Sequence, residues 1–149
     1  MKISSKGRYA LRLLIDIAEN ERAGRVSIRD VAGRQEISIK YLEQIVPHLT
    51  KAKLLRSARG AQGGYSLAKP PEQYTAGEIL RAVEGDLSPV ACLADGKNLC
   101  ERAQDCRTLG FWTGLHQAIQ AYVDGVTLRD LMQPSPAEKK RSEAMYLLD

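Results

Sequence analysis

The strongest constraint on this chain is a pair of short helical segments with almost nothing between them. Ser27-Ile28-Arg29-Asp30 is a capping-box pattern that opens one helix, with Val31 and Ala32 on its buried side and an end near Gln35. Ser38 caps the next, where Leu42, Ile45, Val46 and Leu49 recur at i, i+3, i+4 and i+7. Only Glu36-Ile37 or so separates them, and a connection that short reads as a helix-turn-helix. Pro47 falls inside the second helix, brings no backbone N–H, and is expected to bend the helix or end its regular part.

The flanking segments extend this unit. Ala10, Leu13, Leu14, Ile17 and Ala18 form one face of a preceding helix, with Ser4 or Ser5 as its cap. Leu54 to Ala58 and Gly64 to Ala68 can pair as strands around the loop Arg59-Gly60-Ala61-Gln62-Gly63, so a Gly-rich wing follows the helix-turn-helix. Lys69-Pro70-Pro71 closes the hairpin, because neither proline continues a sheet interior. Thr75-Ala76-Gly77-Glu78 is a second capping box, opening a helix through Ile79, Leu80 and Val83 that stops at Gly85.

Further on, Trp112, Leu115, Ile119, Tyr122 and Val126 step by 3, 4, 3 and 4, a seam suited to packing along another helix. Two heptads are too few for a free coiled coil, which leaves an intramolecular core helix or a dimer. The small preceding domain offers little to cover the seam, and that favours the dimer. Thr127 to Met132 reads as a short closing helix, and Gln133-Pro134-Ser135-Pro136 with the charged Glu138–Glu143 run as a loose arm. The expected fold is mainly α. A winged helix-turn-helix DNA-binding domain with a small β-hairpin wing occupies 1–85, a cysteine-bearing loop 86–106, a long dimerisation helix and closing helix 107–132, and a tail 133–149. No apolar run approaches the roughly 20 residues that span a bilayer, so no membrane partner is expected.

Charge is distributed unevenly along the chain. Residues 1–69 hold 14 Lys and Arg against 6 Asp and Glu, a balance of +8, while residues 70–149 hold 8 against 12, a balance of −4. A basic first half is the electrostatic footprint of a nucleic-acid-binding face. With its apolar residues facing inward, the second helix of the pair turns Lys40, Glu43, Gln44, Pro47 and Lys51 outward, flanked by Tyr41 and His48. Gln44 can pair with adenine, Glu43 can accept from the cytosine amino group, and Lys40 and Lys51 suit guanine or phosphate. A carboxylate on such a face repels phosphate; it either reads a base or is a solvated glutamate supporting a neighbouring lysine. Arg59 at the wing tip can enter a narrow minor groove. Gly60, Gly63 and Gly64 let the backbone come close to DNA, or are plain hairpin glycines.

Cys92, Cys100 and Cys106 are the chain's three cysteines, all within one short stretch. Thiolates gathered this closely point to a soft-metal or cluster site, against a bland reading as free thiols. The odd number rules out complete internal disulfide pairing, and Met1-Lys2-Ile3-Ser4-Ser5-Lys6 has no signal-peptide character, so a reducing, cytoplasmic compartment is expected. Spacing does not separate an iron–sulfur cluster from structural zinc. A thiol-based redox enzyme is disfavoured by the lack of a Cys-x-x-Cys, and hydrolase or nucleotide chemistry by the absence of a phosphate-cradling loop. The chain is read as a regulator and not an enzyme.

Three blocks together carry a specific resemblance: the opening Met-Lys-Ile-Ser-Ser-Lys-Gly-Arg-Tyr-Ala-Leu, Ile37-Ser38-Ile39-Lys40-Tyr41-Leu42-Glu43-Gln44, and Arg59-Gly60-Ala61-Gln62-Gly63-Gly64-Tyr65. They resemble the winged-helix regulators typified by the bacterial iron–sulfur cluster regulator IscR, over most of residues 1–132. The resemblance implies a homodimeric transcription factor on a double-stranded DNA operator, with Ser38, Lys40, Tyr41, Glu43, Gln44, Arg59, Gly60, Gly63 and Gly64 at the interface. It further implies that Glu43 bears on site discrimination and that Arg59 reaches the minor groove. Cys92, Cys100 and Cys106 match the ligands of a cluster, most typically [2Fe-2S].

The chain departs from that pattern at three places. The position three past the last cysteine, a histidine ligand in the cluster regulator, is Leu109, and the position of an N-terminal carboxylate ligand in another branch is Arg8. An oxygen ligand from Asp95, Glu101, Asp105 or solvent is therefore expected, since His116 lies about 15 Å from Cys106 along an unbroken helix. The turn position that usually holds Gly or Asn is Glu36, whose left-handed or irregular backbone costs on the order of 1 kcal/mol. Gly85-Asp86-Leu87-Ser88-Pro89-Val90 and Met145-Tyr146-Leu147-Leu148 also resemble the family's cysteine-metabolism repressors, which lack the cysteine loop and work with cysteine synthase. The cysteine loop favours cluster sensing.

Overall fold

The computed structural model describes residues 2–96, 98 and 100–135; most of the expected tail, with the Glu138–Glu143 run and Met145 to Leu148, lies outside the described residues. Local capping places the N-terminal helices where the sequence predicts them. Helix α1 spans Ser5–Asn20, and the Ser4 hydroxyl accepts from the Lys6 N–H at 3.0 Å. Helix α2 spans Ile28–Gln35, with Ser27 accepting from the Asp30 N–H, and α3 spans Ile39–Lys51, with Ser38 accepting from the Tyr41 N–H. Each of these serines supplies a partner to an N–H that the first helical turn leaves unpaired.

Strands β1 (Leu55–Ala58) and β2 (Gly64–Leu67) pair antiparallel, with Leu55 opposite Leu67 and Ala58 opposite Gly64. Helix α4 covers Ala76–Glu84, capped by Thr75, and stops at Gly85, whose φ of 82° suits a residue without a side chain. Helix α5 runs Leu109–Gly125, and α6, Leu128–Leu131, opens on a reciprocal box between Thr127 and Asp130. The fold is thus mainly helical with a two-stranded wing. No helix among the described residues is long and apolar enough to cross a membrane.

One core binds the N-terminal elements. Leu13, Leu14 and Ile17 of α1, Leu42, Ile45 and Leu49 of α3, Ile79 of α4 and Leu128 of α6 are all fully buried in it. Tyr74 lies at its polar centre: the phenol donates to the Leu54 carbonyl at 2.8 Å and accepts from the N–H groups of Ala68 and Lys69. The wing is also tied to α1, because Glu21 accepts from the Leu67 N–H at 2.8 Å. Val26 exchanges both backbone hydrogen bonds with Tyr65, an isolated antiparallel bridge beside the two-stranded wing that periodicity did not reveal.

Two sequence expectations are corrected. Pro47 neither ends nor divides α3, which continues four residues past it. The proline sits on the exposed side of the helix, and the buried stripe of Leu42, Ile45, Val46 and Leu49 holds the turns on either side of it. Val126 is not part of the α5 seam; it is extended, and its carbonyl accepts from the Ala76 N–H at 2.8 Å. That pairing, with the Thr75–Thr127 bridge, brings the chain back onto the start of α4. Glu36 does adopt the left-handed backbone, at φ 54° and ψ 41°.

Candidate nucleic-acid interface and cysteine loop

Helix α3 turns the expected residues outward. Ser38, Lys40, Glu43, Gln44, His48 and Lys51 are exposed, because the four apolar residues of the same helix face the core. Tyr41 is half-buried, with its ring edge-on to Tyr9 of α1 at 5.3 Å. Arg12 stacks its guanidinium 5.5 Å from the centre of that Tyr9 ring, and Arg8 lies 5.9 Å from it.

Arg59 and Gly60 are exposed between the strands of the wing, and Gly60 has a φ of 98°. Gly63 and Gly64 have reasons inside the hairpin itself. A Cβ on Gly63 would lie 2.7 Å from the Ala58 carbonyl oxygen, and one on Gly64 would lie 2.8 Å from that of Val26. These two glycines are required by the packing of the wing before any DNA approaches.

The junction of α1 and α2 holds residues that sequence reading missed. Asp16 is 2% exposed, a carboxylate set in the buried stripe of α1. Arg34 grips it with two nitrogens, Nε at 3.0 Å from Oδ2 and Nη2 at 2.7 Å from Oδ1, and Gln35 Nε2 donates to Oδ2 at 2.9 Å. Arg12, one turn earlier on α1, donates from Nε to Gln35 Oε1 at 3.0 Å and from Nη2 to the Gln35 carbonyl. The available signal was an acid at position 16 between buried Leu14 and Ile17, where an unpaired charge is costly. Its partners are 18 and 19 residues away, beyond any local pattern.

A second long-range contact caps α1. Glu84, the last residue of α4, accepts from the Ser4 N–H, the Ser4 hydroxyl and the Gly7 N–H at 2.7–3.0 Å. The first turn of α1 has no acidic residue of its own, so this carboxylate supplies the negative charge favoured there. Gly7 makes room for it: a Cβ there would lie 2.6 Å from Glu84 Oε1.

The cysteines lie on the connection between α4 and α5. Cys92 is half-buried in the short turn Ala91–Gly96, and Cys100 is exposed, its N–H donating to Asn98 Oδ1. Cys106 is half-buried, with Sγ 3.5 Å from the Thr108 hydroxyl. Hydrogen bonds from the Thr108 side chain and backbone hold the Cys106 thiol below the usual range, and the Arg102 charge acts in the same direction. Among the described residues, no three Cys, His, Asp or Glu side chains converge as metal ligands. The donor set itself, three thiols confined to one loop, has the chemistry a soft metal or iron–sulfur cluster requires. Leu109 opens α5 and offers no donor, while His116 on the same helix has a buried Nδ1 without a hydrogen-bond partner among the described residues.

Helix α5 has no fully buried residue among those described. Phe111 is 65% exposed and Tyr122 74%, with Leu115 exposed and Trp112 and Ile119 half-buried between them. Its far end is anchored to α4, where Arg81 bridges Asp124 at 2.7 Å and also reaches Gln120. That ion pair holds the Asp124 carboxyl below the usual range.

Comparison with known proteins places the frame. The Rrf2 family profile, described as "Iron-dependent Transcriptional regulator", matches residues 3–134. The regulator IscR of Aliivibrio salmonicida is 38% identical over 132 residues, covering 89% of this chain and 77% of that protein. The regulator CymR of Bacillus subtilis is 37% identical over 140 residues, covering 94% and 96%. The solved structure of B. subtilis CymR, the "Global Cysteine Regulator", aligns with a TM-score of 0.72 at 39% identity, over 89% of this chain and 96% of that one. T. potens IscR aligns with a TM-score of 0.69 at 35% identity, over 89% and 86%. The chain therefore belongs to the Rrf2 family: it is a DNA-binding transcriptional regulator of the IscR and CymR kind, and not an enzyme.

Proposed function

We propose that this regulator acts as a homodimer on a double-stranded operator and senses iron–sulfur or redox status through a cluster held by Cys92, Cys100 and Cys106. The observation that carries the reading is the placement of all three thiols on the one connection between the DNA-binding unit and α5. When bound, an iron–sulfur cluster of the [2Fe-2S] type would supply one-electron and oxygen-sensitive chemistry at that connection. The chain's own part is to offer three soft donors, one of them already acidified by Thr108, and an oxygen from Asp95, Glu101, Asp105 or solvent as the fourth. The family's iron-dependent description and the IscR relatives support this reading. The exposed apolar residues of α5 support a second copy as its partner.

A second reading has its own support: B. subtilis CymR is 37% identical to this chain, and its solved structure aligns with a TM-score of 0.72. On that reading the protein regulates cysteine metabolism with cysteine synthase as its partner; a structural zinc site on the loop thiols is a separate alternative to the cluster.

Anaerobic purification separates the readings. A coloured protein with iron and sulfide, whose chromophore is lost in each of Cys92→Ala, Cys100→Ala and Cys106→Ala and kept in His116→Ala, is the expected result. A colourless zinc protein, or one without metal, refutes cluster sensing. Loss of the cluster in folded His116→Ala alone refutes the oxygen ligand. Sedimentation of Phe111→Asp/Tyr122→Asp should show a monomer; a variant that remains dimeric refutes the α5 interface.

A further inference from the structure

The turn between α2 and α3 is built on an unfavourable residue. Glu36 carries a Cβ into the left-handed region, where glycine would sit without strain, and α3 begins three residues later. Helix α3 bears the outward face of Lys40, Glu43 and Gln44, so an error at this turn becomes an error in where those side chains meet a base pair.

The contacts around the turn are arranged to prevent that error. Gln35, the last residue of α2, is held at its amide nitrogen by Asp16, at its amide oxygen by Arg12 Nε and at its carbonyl by Arg12 Nη2. Arg34, one residue earlier, takes both oxygens of the same Asp16 carboxylate. On the far side of the turn, the buried Ile37 donates its N–H back to the Ala32 carbonyl at 3.2 Å. The end of α2 is thus held to α1 through side chains, while α3 packs on the same α1 through Leu42, Ile45 and Leu49.

The chemistry of the lock distinguishes it from ordinary packing. A buried ion pair adds little to stability that packed hydrophobic residues would not match, yet a two-pronged arginine contact fixes geometry. Arg34 remains 40% exposed on its side chain, so it is drawn to α1 without itself being buried.

We infer that Asp16, with Arg34, Gln35 and Arg12, is a positioning device that sets the recognition helix for base reading while contributing no contact to DNA. The inference rests on the DNA-binding reading of α3 and deepens it: Asp16 becomes a determinant of sequence discrimination acting through the turn.

The test uses the full-length protein and two duplexes, one enriched by the wild-type protein from a randomised pool and one scrambled. Asp16→Asn keeps the shape and removes the charge, while Arg34→Lys keeps the charge and removes the two-pronged grip. Both are checked by circular dichroism and thermal melting, and the second decides the matter if the first does not fold. Expected is a loss of tenfold or more in affinity for the enriched duplex with at most a twofold change for the scrambled one. The salt dependence of scrambled-duplex binding should be unchanged, because no phosphate contact is removed. A purely structural role would lower both affinities together, or neither once the variant is folded; either result overturns the inference. Failure of the wild-type protein to enrich any duplex would instead overturn the α3 reading beneath it, and the inference with it.

Discussion

Replacing Tyr74 with Phe should destabilise the protein by roughly 2 kcal/mol, and the geometry says where the loss comes from. The ring is fully buried and Phe fills the same space, so packing is preserved. What disappears is an oxygen that serves three backbone groups: the Leu54 carbonyl and the N–H groups of Ala68 and Lys69. Ala68 N–H and Leu54 carbonyl retain a long bond to each other at 3.4 Å, so those two are weakened, while Lys69 N–H loses the phenol outright. A buried polar group left without its partner costs about 1–3 kcal/mol, and one lost plus two weakened bonds gives about 2. For a chain of this length that is a fall in Tm of roughly 4–8 °C, measured at fixed protein concentration.

The pH dependence adds a sharper readout. Burial raises the Tyr74 phenol above the usual tyrosine range. A folded-state pKa above the unfolded one means that the folded chain holds a proton the unfolded chain has released. Stability from this group is therefore complete below about pH 10 and is lost as pH rises through the folded pKa. The gap between wild type and Tyr74→Phe should narrow by about 1.4 kcal/mol per pH unit in that window. Urea midpoints for the two proteins at neutral pH and near pH 10.5 check both parts. A variant within about 0.5 kcal/mol of wild type at neutral pH, or a gap that widens in alkali, would refute the argument.

Gly77→Ala should cost about 1–3 kcal/mol of stability by urea unfolding despite alanine's better helix propensity, because its Cβ would crowd Asp124, Arg81 and Val123 and disturb the ion pair that ties α5 to α4. An unchanged or raised midpoint would show that α5 moves aside at no cost. Arg59→Ala is expected to weaken binding most at operators with A·T-rich flanks, and Glu43→Ala to broaden sequence choice without a large general loss. Binding titrations on a panel of duplexes check this, and equal losses across all of them would remove both residues from specificity.

What the sequence determined by itself is whatever is encoded within a few neighbouring residues. Ser4, Ser27, Ser38, Thr75 and Thr127 each sit two or three residues before the N–H they satisfy, so the helix starts could be read directly. The 3.6-residue period exposed the outward face of α3, and with it most of the candidate DNA-reading residues. The cysteines were legible as a donor set by their types and spacing, but not as a geometry. Tertiary structure alone decided the rest, because the partners lie far apart in the chain. Periodicity could not show that Asp16 would meet Arg34, or that Glu84 would cap a helix 77 residues away. Pro47 reads as a helix breaker only when the buried stripe beneath it is left out. Val126 left its predicted seam because backbone pairing with Ala76 satisfied its carbonyl more directly than another helical turn would. Local signals chose the elements, while the shared apolar core and a few long-range hydrogen bonds, such as those on Asp16, Tyr74 and Glu84, set those elements against one another.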